Sequence, residues 1–246
     1  MVERGLAPSR EKARALILAA DVMVDGAVET RAGAPVPAAS AIAIAAPPRF
    51  VSRGGEKLDH ALEAFGIDVA GRVVMDVGAS TGGFTDCMLQ RGAARVYAVD
   101  VGYGQLDARL RGDARVVVME RTNIRNLASL PERSSLATID ASFISLTKVL
   151  PSVIALVRPG ADIMALVKPQ FEAERHDVKR GGVVRDPLVH AAVIGRVAWW
   201  CVNHGLRVRG VAASPLLGPA GNREFFLWLR VDDDRGNPQI SQMDTD

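Results

Sequence analysis

Two patterns of hydrophobic and polar positions follow one another along the chain. In the first, Ala13, Leu16, Ile17 and Ala20 recur at helical spacing behind Ser9, a residue type that caps helix N-termini. This predicts a helix over Arg10 to Ala20. Val22-Met23-Val24 then reads as a strand entering a tight reversal at Asp25-Gly26, and Ser40 to Ala45 alternates as a second short strand. Pro35, Pro37, Pro47 and Pro48 interrupt the pattern. Residues 1–46 are few for an independent core, so they read as a small module or appendage, with 47–52 as a linker.

The second pattern begins with a helix over Gly55 to Phe65, where Leu58, Ala61, Leu62 and Phe65 form one stripe and Gly66 is the stop. Strands and helices then alternate. The strands predicted are Val73 to Val77, Val96 to Asp100, Arg115 to Val118, Leu136 to Asp140, Asp162 to Lys168, Arg207 to Ala212 and Glu224 to Val231. Helices fall near Gly83 to Gln90, Gln105 to Leu110, Leu146 to Val157 and Pro187 to Asn203, the last with Asp186 as N-cap and Pro187 at its first position. Short buried strands between helical spans predict an α/β fold: an open, mostly parallel sheet covered on both faces, closed by an antiparallel hairpin.

Composition changes this picture little. The chain has 246 residues, 48% hydrophobic and 24% charged, which excludes disorder, collagen and a disulfide scaffold as descriptions of the whole. No run of about 20 apolar residues predicts a membrane span, and Met1 to Arg14 lacks a signal-peptide pattern, so a cytoplasmic protein is expected. Cys87 and Cys201 agree with a reducing compartment and read as core residues. His60, His176, His190 and His204 show no metal spacing, and no metal site is expected. The net charge of +2 conceals an asymmetry: the acidic stretch 232–246, expected to be a flexible tail, offsets a charge of +6 over the first 230 residues. That excess permits a nucleic-acid partner held through phosphates.

The stretch Asp76-Val77-Gly78-Ala79-Ser80-Thr81-Gly82-Gly83-Phe84 links a buried strand to a helix, the place where open α/β sheets bind ligands. A dinucleotide fingerprint needs glycine at 80, where Ser80 stands, so a pyrophosphate cofactor is disfavoured. Gly82 and Gly83 would let a bulky ligand without phosphates lie against the backbone. Asp76 suits a nearby cation, and Asp100, ending the next strand, suits ribose hydroxyls. A nucleoside joined to a cation describes S-adenosylmethionine.

Further charges stand at strand ends. Asp140 and Lys168 end two strands, Glu224 opens the last, and Lys57 lies on the helix before the sheet. If the last strand runs antiparallel, Glu224 shares an edge with the others. Pro169 is expected to force an extended exit after Lys168 and to stop a helix forming there. A lysine whose proton affinity is lowered by burial or by a neighbouring cation can deprotonate a ribose 2′-hydroxyl. Lys168 near Lys57 suits that task, with Asp140 and Glu224 orienting the ammonium groups and the hydroxyl. Ordinary salt bridges at the sheet edge are the alternative.

Several motifs in order resemble one family. They include Ser52-Arg53-Gly54-Gly55-Glu56-Lys57, the loop Asp76 to Thr85, Asp100-Val101-Gly102-Tyr103-Gly104, Glu120-Arg121-Thr122-Asn123, Ser142-Phe143-Ile144-Ser145, Val167-Lys168-Pro169-Gln170 and Gly221-Asn222-Arg223-Glu224. Together they are similar to the TlyA family, also labelled hemolysin A, over nearly the whole chain. The resemblance implies a class I S-adenosylmethionine-dependent methyltransferase domain of the FtsJ type over 53–231, Rossmann-like with a seven-stranded sheet. It also implies an αL RNA-binding module of the ribosomal-protein-S-four kind over 1–46. The implied reaction is methylation of a cytidine ribose 2′-hydroxyl in ribosomal RNA, on the RNA or the ribosomal subunit. The large-subunit 23S RNA is favoured by the short N-terminus and 16S RNA is possible. The implied catalytic residues are Lys57, Asp140, Lys168 and Glu224. The cofactor residues are Asp76, Gly78, Ala79, Ser80, Gly82, Gly83, Phe84 and Asp100. Arg4, Arg10, Lys12 and Arg14 are candidate RNA contacts. The linker, Arg49-Phe50-Val51, is one residue shorter than is usual in the family.

Three alternatives belong to other classes. An RNA base methyltransferase acting on amino groups would carry Asn/Asp-Pro-Pro-aromatic where this chain has Asp140-Ala141-Ser142-Phe143, and a carbon-5 enzyme needs a cysteine nucleophile at a strand end. An inactive RNA-binding protein would not need Asp76, Asp100 and Lys168 together. A membrane-active hemolysin would need an amphipathic or spanning segment, and none is evident.

Overall fold

The computed structural model describes residues 1–18, 20–44, 48–179 and 181–233. The chain divides into two compact units, Met1–Arg49 and Phe50–Asp246. In the first, helix α1 (Arg10–Leu18) precedes a three-stranded antiparallel sheet of β1 (Val22–Val24), β2 (Ala27–Val28) and β3 (Ile42–Ile44), with β1 in the middle. The two-residue strand β2 has too little sequence to show an alternation. Ala19, Ala45 and Ala46, at the ends of the predicted helix, strand and module, lie outside the described residues.

The second unit opens with α2 (Arg53–Phe65), whose Leu58, Ala61 and Leu62 are sealed from solvent. It ends at Gly66, whose left-handed φ of 65° turns the chain out of the helix. There follow β4 (Val73–Val77), α3 (Gly83–Gln90), β5 (Arg95–Val99), α4 (Ala108–Arg111), β6 (Val116–Met119), a short 3-10 turn, β7 (Ser134–Ile139), α5 (Leu146–Leu156), β8 (Val157–Val167), α6 (Pro169–Glu172), α7 (Pro187–Asn203), β9 (Leu206–Ala213) and β10 (Phe225–Val231). The sheet order is β6-β5-β4-β7-β8-β10-β9. Pairs from β6 through β8 are parallel, and β10 is the reversed strand, antiparallel to both neighbours.

Alternation along each strand feeds two cores. Met75, Val77 and Ile139 pack on the side of α5 and α7, while Val74 and Leu136 pack with Leu58, Leu62 and Met88 of α2 and α3. Phe50 also joins the second core at 3% exposure, so this residue of the expected linker is structural. A side chain at Gly55 would overlap the Phe50 ring.

Two helices differ from expectation. Only Ala108–Arg111 of the span Gln105 to Leu110 is helical, because Asp107 caps at that point by accepting from Arg109 N. A one-turn helix also begins at Pro169, where the sequence predicts none. The restriction falls on Lys168, which is extended (φ −110°, ψ 102°), whereas proline itself suits the first helical position. Of the acidic stretch, 234–246 lies outside the described residues, and Asp232 pairs with Arg207 at 2.5 Å. Among the described residues no helix is long and apolar enough to cross a membrane.

Candidate active site

Sheet order changes direction at β4, whose neighbours β5 and β7 are reached by crossovers on opposite sides. Its carboxyl end therefore opens a crevice. A cavity of about 590 Å³ lies there, lined by Gly78, Ser80, Asp100, Asn123, Asp140 and Phe143 among others. Its size suits a nucleoside carrying an amino-acid arm. The half-buried Asp100 carboxylate accepts from Ser80 N at 2.7 Å and from Gly102 N at 2.6 Å. Each oxygen keeps a lone pair for a ligand hydroxyl.

A second cavity of about 230 Å³ adjoins the first through Gly78, Ser80 and Asp140. Besides Arg53, four charged side chains from four places in the chain line it. Lys57 comes from α2, Asp140 follows β7, Lys168 follows β8, and Glu224 precedes β10. The antiparallel register Phe225↔Val167 puts Glu224 at the same edge as Lys168. The four form two ion pairs. Lys57 Nζ donates to Glu224 Oε2 at 2.6 Å, with side chains 8% and 1% exposed. Lys168 Nζ lies 2.5 Å from Asp140 Oδ1 and donates to Ser142 Oγ at 2.8 Å.

Residues 50–231 match the model of the FtsJ-like methyltransferase family. The chain is 49% identical to "16S/23S rRNA (cytidine-2′-O)-methyltransferase TlyA" of Mycobacterium tuberculosis, over 96% of this chain and 89% of that one. The chain belongs to the FtsJ-like methyltransferases, in their TlyA family. A solved hemolysin-named structure from Lactococcus lactis is 46% identical and superposes with a TM-score of 0.74, covering 76% of this chain and 91% of that one. A structure named as an S-adenosylmethionine-dependent methyltransferase from Listeria monocytogenes, 15% identical, shares the fold with a TM-score of 0.55, covering 74% of this chain and 100% of that one.

Within this methyltransferase domain the residues expected at the cofactor loop have different duties. Gly78, Ala79, Ser80, Gly83 and Phe84 line the smaller cavity. Asp76, expected near a cationic ligand, lines neither of these two cavities. It is completely buried and accepts from Thr85 Oγ1 at 2.6 Å and Thr138 Oγ1 at 3.0 Å, anchoring the start of α3 to β4 and β7. Burial pushes its carboxyl up to about 7, against the lowering effect of the two threonines. Gly82 and Gly83 also have a packing duty. A side chain at Gly82 would overlap Leu110, and one at Gly83 would overlap Ser52, so close packing already requires both glycines. Gly78, at φ 85°, brings the β4 turn against β7: a Cβ there would lie 2.5 Å from the Asp140 carbonyl oxygen.

Sequence reasoning gives no role to Asn123, Ser142 or Phe143. Asn123 and Phe143 line the larger cavity, and so does Ser142. All three stand just past a strand's carboxyl end, and that position is the signal that could have found them.

In the N-terminal unit, Arg10, Lys12 and Arg14 are exposed on α1. Arg10 and Arg14, four residues apart, share a face, whereas Lys12 points elsewhere. Arg4, expected as an RNA contact, also has an internal duty: its guanidinium donates to the carbonyls of Ser40, at 2.6 Å, and Ala38, closing the loop before β3.

Proposed function

We propose that this enzyme transfers a methyl group from S-adenosylmethionine to the ribose 2′-hydroxyl of a cytidine in ribosomal RNA. The observation that carries the reading is the pair of ion pairs, Lys57–Glu224 and Lys168–Asp140, around one cavity that shares a wall with the larger, nucleoside-sized one. The name of the Mycobacterium tuberculosis relative supports the target atom, base and RNA class.

In this reading the larger cavity holds the donor, with Asp100 accepting from its ribose hydroxyls and Asn123 within reach of its base. When bound, the donor supplies an electrophilic methyl on a sulfonium sulfur. Lys168 Nζ takes the proton of the attacking hydroxyl, and Asp140 stands beside that nitrogen as its counter-charge. Lys57 and Glu224 hold the sugar from the opposite wall. Charge on the attacking oxygen then develops beside the nitrogens of Lys168 and Lys57. Residues 1–46 form the αL module that contacts rRNA phosphates, with Arg10 and Arg14 as its paired cations.

Mass spectrometry of 16S and 23S rRNA nucleosides, from cells with and without the protein, tests the reaction. A 2′-O-methylcytidine lost with the protein, and not restored by Lys168→Ala, is the expected result. Loss of a base methyl instead would favour base methylation and remove Lys168 from its role.

A further inference from the structure

The loop after β7 and the segment after β8 are joined at three successive points. Lys168 Nζ donates to Ser142 Oγ at 2.8 Å. The rings of Phe143 and Phe171 stand 5.0 Å apart between centroids. Glu172 then accepts from Ser145 Oγ at 2.7 Å and from Leu146 N, the start of α5, at 2.6 Å. Between the first and last of these points, Phe143 takes a left-handed φ of 63°, a conformation that bulky residues rarely adopt. Such outliers persist only where the surroundings over-determine them, and here the contacts on either side do so. The loop that carries Ser142 is thus tied to the segment after β8 by two further contacts that do not involve Lys168, the Phe143–Phe171 pair and the Glu172 bonds.

We propose that Ser142 is a positioning residue for Lys168, fixing the direction in which its nitrogen meets the acceptor hydroxyl. This inference rests on the 2′-hydroxyl reading above. The Lys168 nitrogen has three vertices besides its bond to Cε. Ser142 accepts from one at 2.8 Å, while Asp140 Oδ1 stands 2.5 Å away as an ion-pair partner without hydrogen-bond geometry. In the neutral amine one N–H stays on Ser142, the nearby Asp140 carboxylate repels the lone pair, and the lone pair therefore turns to the vertex facing the acceptor hydroxyl. The hydroxyl proton passes to that lone pair as the oxygen–methyl bond forms and the sulfur–methyl bond breaks. The resulting ammonium group later gives its proton to water. Without Ser142 the amine rotates about Cε–Nζ, and its lone pair faces the hydroxyl in only part of its orientations. Proper direction of a reacting group affects the rate and not the binding.

The test is steady-state kinetics of the full-length protein with rRNA and S-adenosylmethionine, comparing wild type, Ser142→Ala and Ser142→Thr. For Ser142→Ala, kcat is expected to fall about tenfold, with KM for both substrates within about twofold of wild type. Ser142→Thr keeps the oxygen and is expected to recover kcat to within about threefold. An alanine variant with unchanged kcat, a defect confined to KM, or a threonine variant as slow as alanine would each overturn the assignment. Product analysis of the wild-type reaction separates the two claims. A base-methylated product removes the 2′-hydroxyl reading whatever Ser142 does, while a 2′-O-methylated product with an unaffected Ser142→Ala removes only the positioning role.

Discussion

Lys57 and Glu224 are separated by 167 residues in the chain and by 2.6 Å in the fold. The pair ties the helix that precedes the sheet to the strand that closes it, in a place almost sealed from solvent. Removing one partner of a buried ion pair leaves an uncompensated charge, which costs about 3–5 kcal/mol, whereas replacing both with apolar residues is often neutral. Lys57→Met alone should therefore lower the stability measured by urea unfolding by about that amount. The double variant Lys57→Met/Glu224→Leu should regain most of it while remaining without methyl transfer. A single variant as stable as wild type would show that the pair does not bear on folding.

Asp76 makes stability depend on pH. Its folded pKa of about 7 stands above the ordinary 3.8, because burial favours the neutral form. Folding therefore favours the protonated carboxyl. The contribution is fully present below about pH 4 and is lost as pH rises through about 7. A tenfold change in proton affinity corresponds to about 1.4 kcal/mol, so the loss amounts to a few kcal/mol. Glu172, also raised by burial, adds in the same direction. Asp76→Asn stays neutral and keeps hydrogen-bonding capacity toward Thr85 and Thr138. It should flatten the decline in urea midpoint between about pH 5 and pH 8 and exceed wild type at the upper end. Identical slopes for the two proteins would place the pH dependence elsewhere.

The paired arginines of α1 give a prediction for RNA binding. Arg10→Ala/Arg14→Ala should weaken affinity for rRNA and reduce the slope of log affinity against log salt by roughly one for each phosphate that is no longer neutralised. Affinity for S-adenosylmethionine should be unchanged. Lys12→Ala, on a different face, should do much less. Equal effects from all three positions would argue for a diffuse field and against a defined face.

Local signals make much of this fold legible. Helix α7 runs from Pro187 to Asn203 as predicted, because Asp186, Pro187 and Gly205 mark both ends. Strand β4 is equally clear as a short apolar run before glycines. The four ion-paired residues of the smaller cavity are legible because each stands on α2 or at a strand end. What stays hidden depends on neighbours distant in sequence. The glycine at 82 answers to Leu106 and Leu110, and Asp76 answers to Thr85 and Thr138. Ser142 meets Lys168 only once β7 and β8 are adjacent, which no local period announces.

The missing side chain at Gly78 has a consequence for chemical intervention. Because the β4 turn presses directly on the Asp140 backbone, Gly78 and Asp140 line both cavities at once. A compound joining an adenosine-like head to a sugar-like tail would need only a short tether to occupy both. It would then draw on the recognition features of donor and acceptor at once.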